Sequence, residues 1–211
     1  MTTFEEELVD AYYNLKGYFT ARNLSYSASK KRRGGKGRGE IDLLAVKVNN
    51  RIVEDAIHVE VGVSIKSAFP FINRSKKNVD EPSKLIKKFF ISDSPYLVRQ
   101  YIGKTPYRLQ QISSRFDGKS AQKLHERLKE LGGKNIRIIQ NGDVINLKMR
   151  YEGKEKFIEI VTFQKILEDL IEIFTKKDLL KKHFQDNRLR GIQYLVKGIN
   201  NSRMTAKPSQ L

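Results

Sequence analysis

Two apolar runs joined by a short polar connection, within Gly39–Lys66 (GEIDLLAVKVNNRIVEDAIHVEVGVSIK), constrain this chain more than any other feature. In Glu40–Val48 the residues Ile41, Leu43, Leu44, Ala45, Val46 and Val48 crowd too densely for an amphipathic helix and suit a buried strand. After Asn49–Asp55, the stretch Ala56–Ile65 alternates Ile57, Val59, Val61, Val63 and Ile65 with His58, Glu60, Gly62 and Ser64, the period of a half-buried strand. Glu60 then falls on the non-core face. Antiparallel pairing of the two strands lets Asp42 and Glu60 converge, which is what a hard divalent cation, Mg²⁺ or Mn²⁺, asks of its protein ligands.

Acidic residues on the solvated face of a strand are commonplace, so the pair alone decides nothing. Two details weigh toward a site. Asp42 interrupts an apolar run, where a carboxylate is costly unless paired or bound to metal. The surroundings are strongly basic, with 41 Lys and Arg against 24 Asp and Glu for a net charge of +17, which suits work on phosphate.

GEIDLLA followed by HVEV resembles the core of the PD-(D/E)xK nuclease superfamily, and the order of elements is most similar to the archaeal Holliday junction resolvases and to nuclease-like proteins of archaeal viruses. The resemblance covers roughly residues 4–66, with a weaker echo near 120–148. It implies an α/β fold, a restriction-endonuclease-like mixed central sheet flanked by helices, here with an added hairpin and C-terminal helices. It also implies that Asp42 and Glu60 are metal-binding and catalytic, with a third carboxylate on the first helix. Distance to the terminating Gly17 matches Glu6 best, with Glu7 close behind. One departure stands out: the family's catalytic lysine follows the Glu by two residues, and that position here is Gly62. Lys66 shares the face but lies ~13 Å further along. Lys84, Lys87 and Lys88, on a following helix, are the candidate replacements.

The remaining chain is read around this core. Thr3 or Thr2 caps a first helix, Glu5–Glu7 complement its dipole, and Phe4, Leu8, Ala11, Tyr12 and Leu15 form its stripe. Capping is thus a sufficient role for at least two of the glutamates. Tyr18 to Ser27 reads as the first strand. The segment Lys30–Arg38 carries Lys30, Lys31, Arg32, Arg33, Lys36 and Arg38 with no acid, lacks P-loop spacing, and reads as a DNA-gripping arm that feeds into Glu40 and Asp42. Residues 68–118 read as a helical insertion, with helices from Ser83 and over Tyr96–Gly103. Tyr101, Tyr107 and Arg108 are candidate nucleic-acid contacts, although such aromatics more often pack a core.

Ala121, Leu124, Leu128 and Leu131 mark a helix ended by Gly132, Ile136–Gln140 a strand, and Asn141-Gly142 a hairpin turn, leading through Val144–Met149 to a third strand at Phe157–Val161. The helix-then-strand unit reads as a continuation of the nuclease core. Domain limits are therefore placed at 1–162 for the α/β core, 163–199 for a C-terminal helical segment whose apolar stripe reads first as core, with part of it a candidate homodimer interface, and 200–211 for a flexible tail.

The absence of cysteine excludes disulfides and thiolate zinc sites, and His58, His125 and His183 are scattered. No apolar run is long enough to span a bilayer and the chain opens on the acidic MTTFEEEL, so a cytoplasmic protein (host cytoplasm if viral) with no membrane partner is expected. The expected function is a Mg²⁺-dependent DNA endonuclease acting on branched DNA. A non-catalytic DNA-binding protein on the same scaffold, or an RNA-binding or RNA-processing protein, are the alternatives.

Overall fold

The first three strands form an antiparallel meander. A tight turn joins two of them: β2 (Arg38–Asn49) and β3 (Ile52–Val61) connect through Asn50 and Arg51 alone, both at positive φ (47° and 64°). Those dihedrals are the signature of a type I′ hairpin turn, whose twist matches that of the flanking strands. The expected polar connection over Asn49–Asp55 is thus too long, because Glu54 and Asp55 are strand residues. Asp55 finds partners there in the Arg108 guanidinium and the Tyr18 hydroxyl (2.5 and 2.6 Å). A computed structural model describes residues 3–27, 38–64, 66–72, 83–176 and 178–205.

Helix α1 (Phe4–Leu15) begins with a full capping box, Thr3 accepting from the Glu6 N–H and Glu6 accepting from the Thr3 N–H. Strand β1 (Phe19–Ser27) pairs with β2. Beyond β3 come a short helix α2 (Lys84–Ile86) that widens into a π-helical turn at Lys87–Ile91, then α3 (Ser94–Ile102), β4 (Arg108–Ser113), α4 (Ser120–Glu130), β5 (Lys134–Asn141), β6 (Val144–Tyr151), β7 (Lys154–Thr162), α5 (Phe163–Lys176) and α6 (Asn187–Thr205). All seven strands form one sheet of order β1-β2-β3-β4-β7-β6-β5. The β3/β4 and β4/β7 pairs are parallel, and the others are antiparallel. The protein is therefore α/β, with a seven-stranded mixed sheet flanked by helices.

One expectation fails here. Residues 68–118 are not wholly helical, since β4 lies within them at the centre of the sheet. The helix-then-strand unit α4–β5 lies at the far edge of the same sheet. Strand β4 escaped hydrophobic patterning because its middle is polar: Gln110 and Gln111 are buried but satisfied. Gln110 bonds the Tyr13 hydroxyl and Glu159, and Gln111 donates to the carbonyls of Glu60 (3.1 Å) and Ile112 (2.9 Å).

Helices α1 and α5 cover one face, where Val9, Tyr12, Ile166 and Leu170 meet Leu43, Val59, Ile112 and Val161. The other face carries α2 to α4, with Leu85, Phe89, Leu124 and Leu128 against Leu109, Ile145 and Ile158. The stripe of α5 is spent within the chain: Ile166, Leu170 and Phe174 are buried against the sheet, α1 and α6, so these residues are core and do not form a subunit interface. The C-terminal segment 163–199 is not one helix, because Asp178 turns left-handed (φ 50°) between α5 and the short turn at Leu179–Lys181. Among the described residues no helix is long and apolar enough to cross a membrane.

Candidate active site

Strand β3 is covered on both faces, by α1 and α5 on one side and by the α2–α3 layer on the other, and this changes the standing of its polar residues. His58 and Glu60 point at the α2–α3 layer and are 0% and 3% exposed, so Glu60 is not on a solvated face. Asp42 lies on the same side of β2, one step beyond the Leu43–Val59 pair in the hairpin register, and its Oδ2 accepts from the Val61 N–H at 2.8 Å. The β2–β3 hairpin thus brings Asp42 and Glu60 together as the alternation requires.

Lys88, in the π-helical turn, closes the pair. Its Nζ is 2.6 Å from Glu60 Oε2 and 3.4 Å from Asp42 Oδ1, and it also donates to the Glu40 carbonyl. Turns of this kind are frequent at functional sites. Of the three candidate lysines, Lys88 makes the contact, while Lys84 and Lys87 line the same cavity of about 480 Å³. Gly62 lines it too. A Cβ built there would lie 3.1 Å from Gln111 Nε2 and 3.5 Å from Phe71 Cδ1, so a side chain at 62 must displace Gln111 slightly. The place a lysine on β3 would cross is filled from β4.

Electrostatics follow from burial. Desolvation, then the Glu60 charge, push Asp42 up to about 6 against the restraint of Lys88, and desolvation pushes Glu60 up to about 7. For Lys88, burial lowers the affinity for its proton but the two carboxylates more than offset that, so it holds the proton more tightly than an ordinary lysine. His58 contacts Glu60 Oε1 through Nε2 at 2.6 Å. Burial and the nearby Lys88 charge drive its pKa down to about 3, so the contact is a hydrogen bond from a neutral ring and not an ion pair. An ionised Glu60 can only accept, which puts the ring proton on Nε2. Nδ1 has no hydrogen-bond partner among the described residues, and the ring edge rests on Phe89 at 5.2 Å between centroids.

The other expected residues fall variously. Glu6 lines the cavity, but its carboxylate is engaged in the capping box. Glu7 faces a separate apolar cleft between α1 and α6 and is not brought to the site. Lys30, Lys31, Arg32, Arg33 and Lys36 lie outside the described residues, and Arg38 opens β2. Tyr107 packs into the core and Arg108 is held by Asp55, so neither is a free nucleic-acid contact. Sequence reasoning passed over Tyr26 and Gln111. The Tyr26 ring lies across Gly39, a glycine because any Cβ would come within 2.2 Å of that ring, and its hydroxyl bonds Ser92 near the Lys88 charge.

Among the described residues no group of three or more His, Cys, Asp or Glu is placed to hold a metal. A pair still fits Mg²⁺ chemically, since that ion is ordinarily held by one or two carboxylates, with water and substrate phosphate supplying its other oxygens. Burial is the main reason that Asp42 and Glu60 hold their protons more tightly than ordinary carboxyls, with Lys88 opposing it. Comparison with protein-family models, with curated proteins and with solved structures yields no match.

Proposed function

We propose that this protein is a metal-dependent DNA endonuclease of the PD-(D/E)xK kind, hydrolysing phosphodiester bonds, with branched or junction DNA as its substrate class. The observation that carries the proposal is the convergence of Lys88 on Asp42 and Glu60. It supplies, from a separate helix, the lysine that Gly62 lacks. Asp42 and Glu60 would hold the metal, Mg²⁺ or Mn²⁺, with Glu6 nearest among the remaining acids of the cavity. Such an ion, when bound, supplies an activated water and offsets charge on the attacked phosphate.

The protein's own residues do the rest. Lys88 keeps its proton, so beside a phosphate it acts as a cation and hydrogen-bond donor, not as a base. His58 ties up one oxygen of Glu60 and thereby turns the other toward Lys88 and the cavity. The net charge of +17 draws in a polyanion. A homodimer would set two such sites against the two strands of a branched substrate.

Asp42→Asn and Glu60→Gln test the proposal on a panel of four-way junction, flap, linear duplex and single-stranded DNA and RNA with Mg²⁺ or Mn²⁺. Cleavage should disappear while DNA affinity holds or rises. Undiminished cleavage in both variants would exclude the assignment. Binding without turnover by the unaltered chain would favour a DNA-binding protein, in which Lys88 serves only as counter-ion to the buried pair.

A further inference from the structure

The site cavity opens beside a second, larger one. Val63, just past the end of β3, lines both, and the second extends to about 1140 Å³ against about 480 Å³ for the first. Its walls are the segments that follow β3 and β4, one side of α4 and the first turn of α5. It therefore lies at the carboxyl ends of the parallel strands β3, β4 and β7, where α/β sheets characteristically bind their ligands.

Among the described residues its lining is cationic, with Lys66, Arg115, Lys123 and Arg127 against one acid, Asp117. Lys123 answers Asp117 at 3.0 Å, and Arg127 pairs with Glu130 outside the groove, while Lys66 and Arg115 are exposed. The α5 helix presents its amino end there through Phe163 and Gln164, adding positive potential. One half-buried aromatic ring, Phe116, completes the surface and is backed by the buried Phe69, 5.6 Å away and inclined by only 31°. The walls are pinned. Ser114 Oγ accepts from the Ser64 N–H (2.8 Å) and bonds the Ser64 carbonyl (2.7 Å), and the Phe163 N–H donates to the Ser114 carbonyl (3.2 Å).

We propose that this groove seats a single nucleic-acid strand, DNA or RNA, running to the Asp42–Glu60 pair. Cations track the backbone phosphates, and Phe116 offers a face to an unstacked base, the combination that binds single strands without regard to sequence. A duplex keeps its base faces stacked inside and makes no use of the ring. Naming the occupant a substrate strand rests on the nuclease function proposed above, whereas binding itself needs neither metal nor turnover.

The test is equilibrium binding of oligothymidylate and oligouridylate of about 15 nucleotides, and of a duplex of equal length, to the full chain in EDTA at about 100 mM salt. Lys66→Glu with Arg115→Glu should weaken single-strand binding about tenfold or more and reduce the salt slope by about 1.4, at ~0.7 per lost contact on a single strand. Lys104→Glu with Lys197→Glu, at exposed residues that do not line the groove, makes the same change of net charge and should cost less than about threefold. Phe116→Leu should weaken the single strands and leave the duplex unchanged. Equal losses from the two charge-reversal pairs, a loss confined to the duplex, or no single-strand binding by the unaltered chain would each overturn the groove. Comparison of the uridylate arm with oligodeoxyuridylate, which differs from it only at the 2′ position, identifies the sugar. Absence of Mg²⁺-dependent cleavage alongside groove-dependent binding would refute the nuclease function and leave the groove standing.

Discussion

Lys88 Nζ lies 2.6 Å from Glu60 Oε2, joining a helical turn to a strand that precedes it by more than twenty residues. Both groups are largely withdrawn from water, the lysine side chain 23% and the glutamate 4% exposed. Removing the ammonium strands a buried carboxylate pair, so Lys88→Ala should lower the cleavage rate by about 100-fold or more and also destabilise the fold, by about 3 kcal/mol. Lys88→Arg, which keeps the charge but not the point geometry, should restore the stability and little of the rate. Single-turnover cleavage together with a denaturant melt separates the two effects. A rate loss no larger than the change in folded fraction would assign Lys88 a structural role.

The proton affinities of the pair predict opposite pH trends with and without metal. Asp42 and Glu60 are raised to about 6 and about 7, against 3.8 and 4.5 when unperturbed. The folded state therefore holds protons that the unfolded chain has released. The pair's contribution to stability is fully present below about pH 4 and is lost as pH rises through 4 to 7 in metal-free protein. Metal binding must expel those protons, so Mn²⁺ affinity should climb by about tenfold or more from pH 5.5 to 7.5 and flatten beyond. Calorimetric titration in buffers of differing ionisation heat counts the protons. A flat affinity profile would mean the carboxylates do not bind the ion.

His58 is predicted to position Glu60. With Nε2–H on Oε1 at 2.6 Å, the carboxylate is held in one orientation with Oε2 toward Lys88. His58→Phe keeps a ring against Phe89 but withdraws the donor, and should reduce metal affinity about 10- to 100-fold. DNA affinity in EDTA should be unchanged, since the ring is wholly buried. Partial recovery of metal affinity in His58→Gln, which can donate again, distinguishes positioning from packing.

Much of this geometry is legible in the residues, and the failures have physical causes. Thr3 with Glu6 announces the first helix, and the alternation through Ile57 and Val59 places Asp42 and Glu60 on one side of a hairpin. Alternation cannot say whether the polar side of a strand meets water, however: the π-helical turn covers His58 and Glu60 through Phe89 and Lys88, and Gln110 and Gln111 conceal β4, a core strand, behind polar side chains. Choosing Lys88 over Lys84 and Lys87 required the tertiary placement of a π-helical turn that helical periodicity does not describe. The Asp178 break has a similar origin: a single left-handed residue ends an apolar stripe that reads as continuous.

Gly62 gives the last prediction, because its replacement can be run as a rescue. A Cβ at 62 approaches Gln111 Nε2 to 3.1 Å and Phe71 Cδ1 to 3.5 Å, contacts that a flexible amide can relieve. Gly62→Lys alone should add a second cation to a site already served by Lys88, with cleavage unchanged or slightly lower and a stability cost of about 1 kcal/mol from crowding. In the Lys88→Ala background the same substitution meets a vacant position beside Glu60 and should recover about tenfold or more of the lost rate. Adding Gln111→Ala relieves the contact with the new side chain and should raise that recovery further. Single-turnover cleavage by the double and triple variants measures both steps. Failure of every Gly62→Lys combination to exceed Lys88→Ala, with the proteins folded by circular dichroism, would show that Lys88 does not stand in for a lysine on β3.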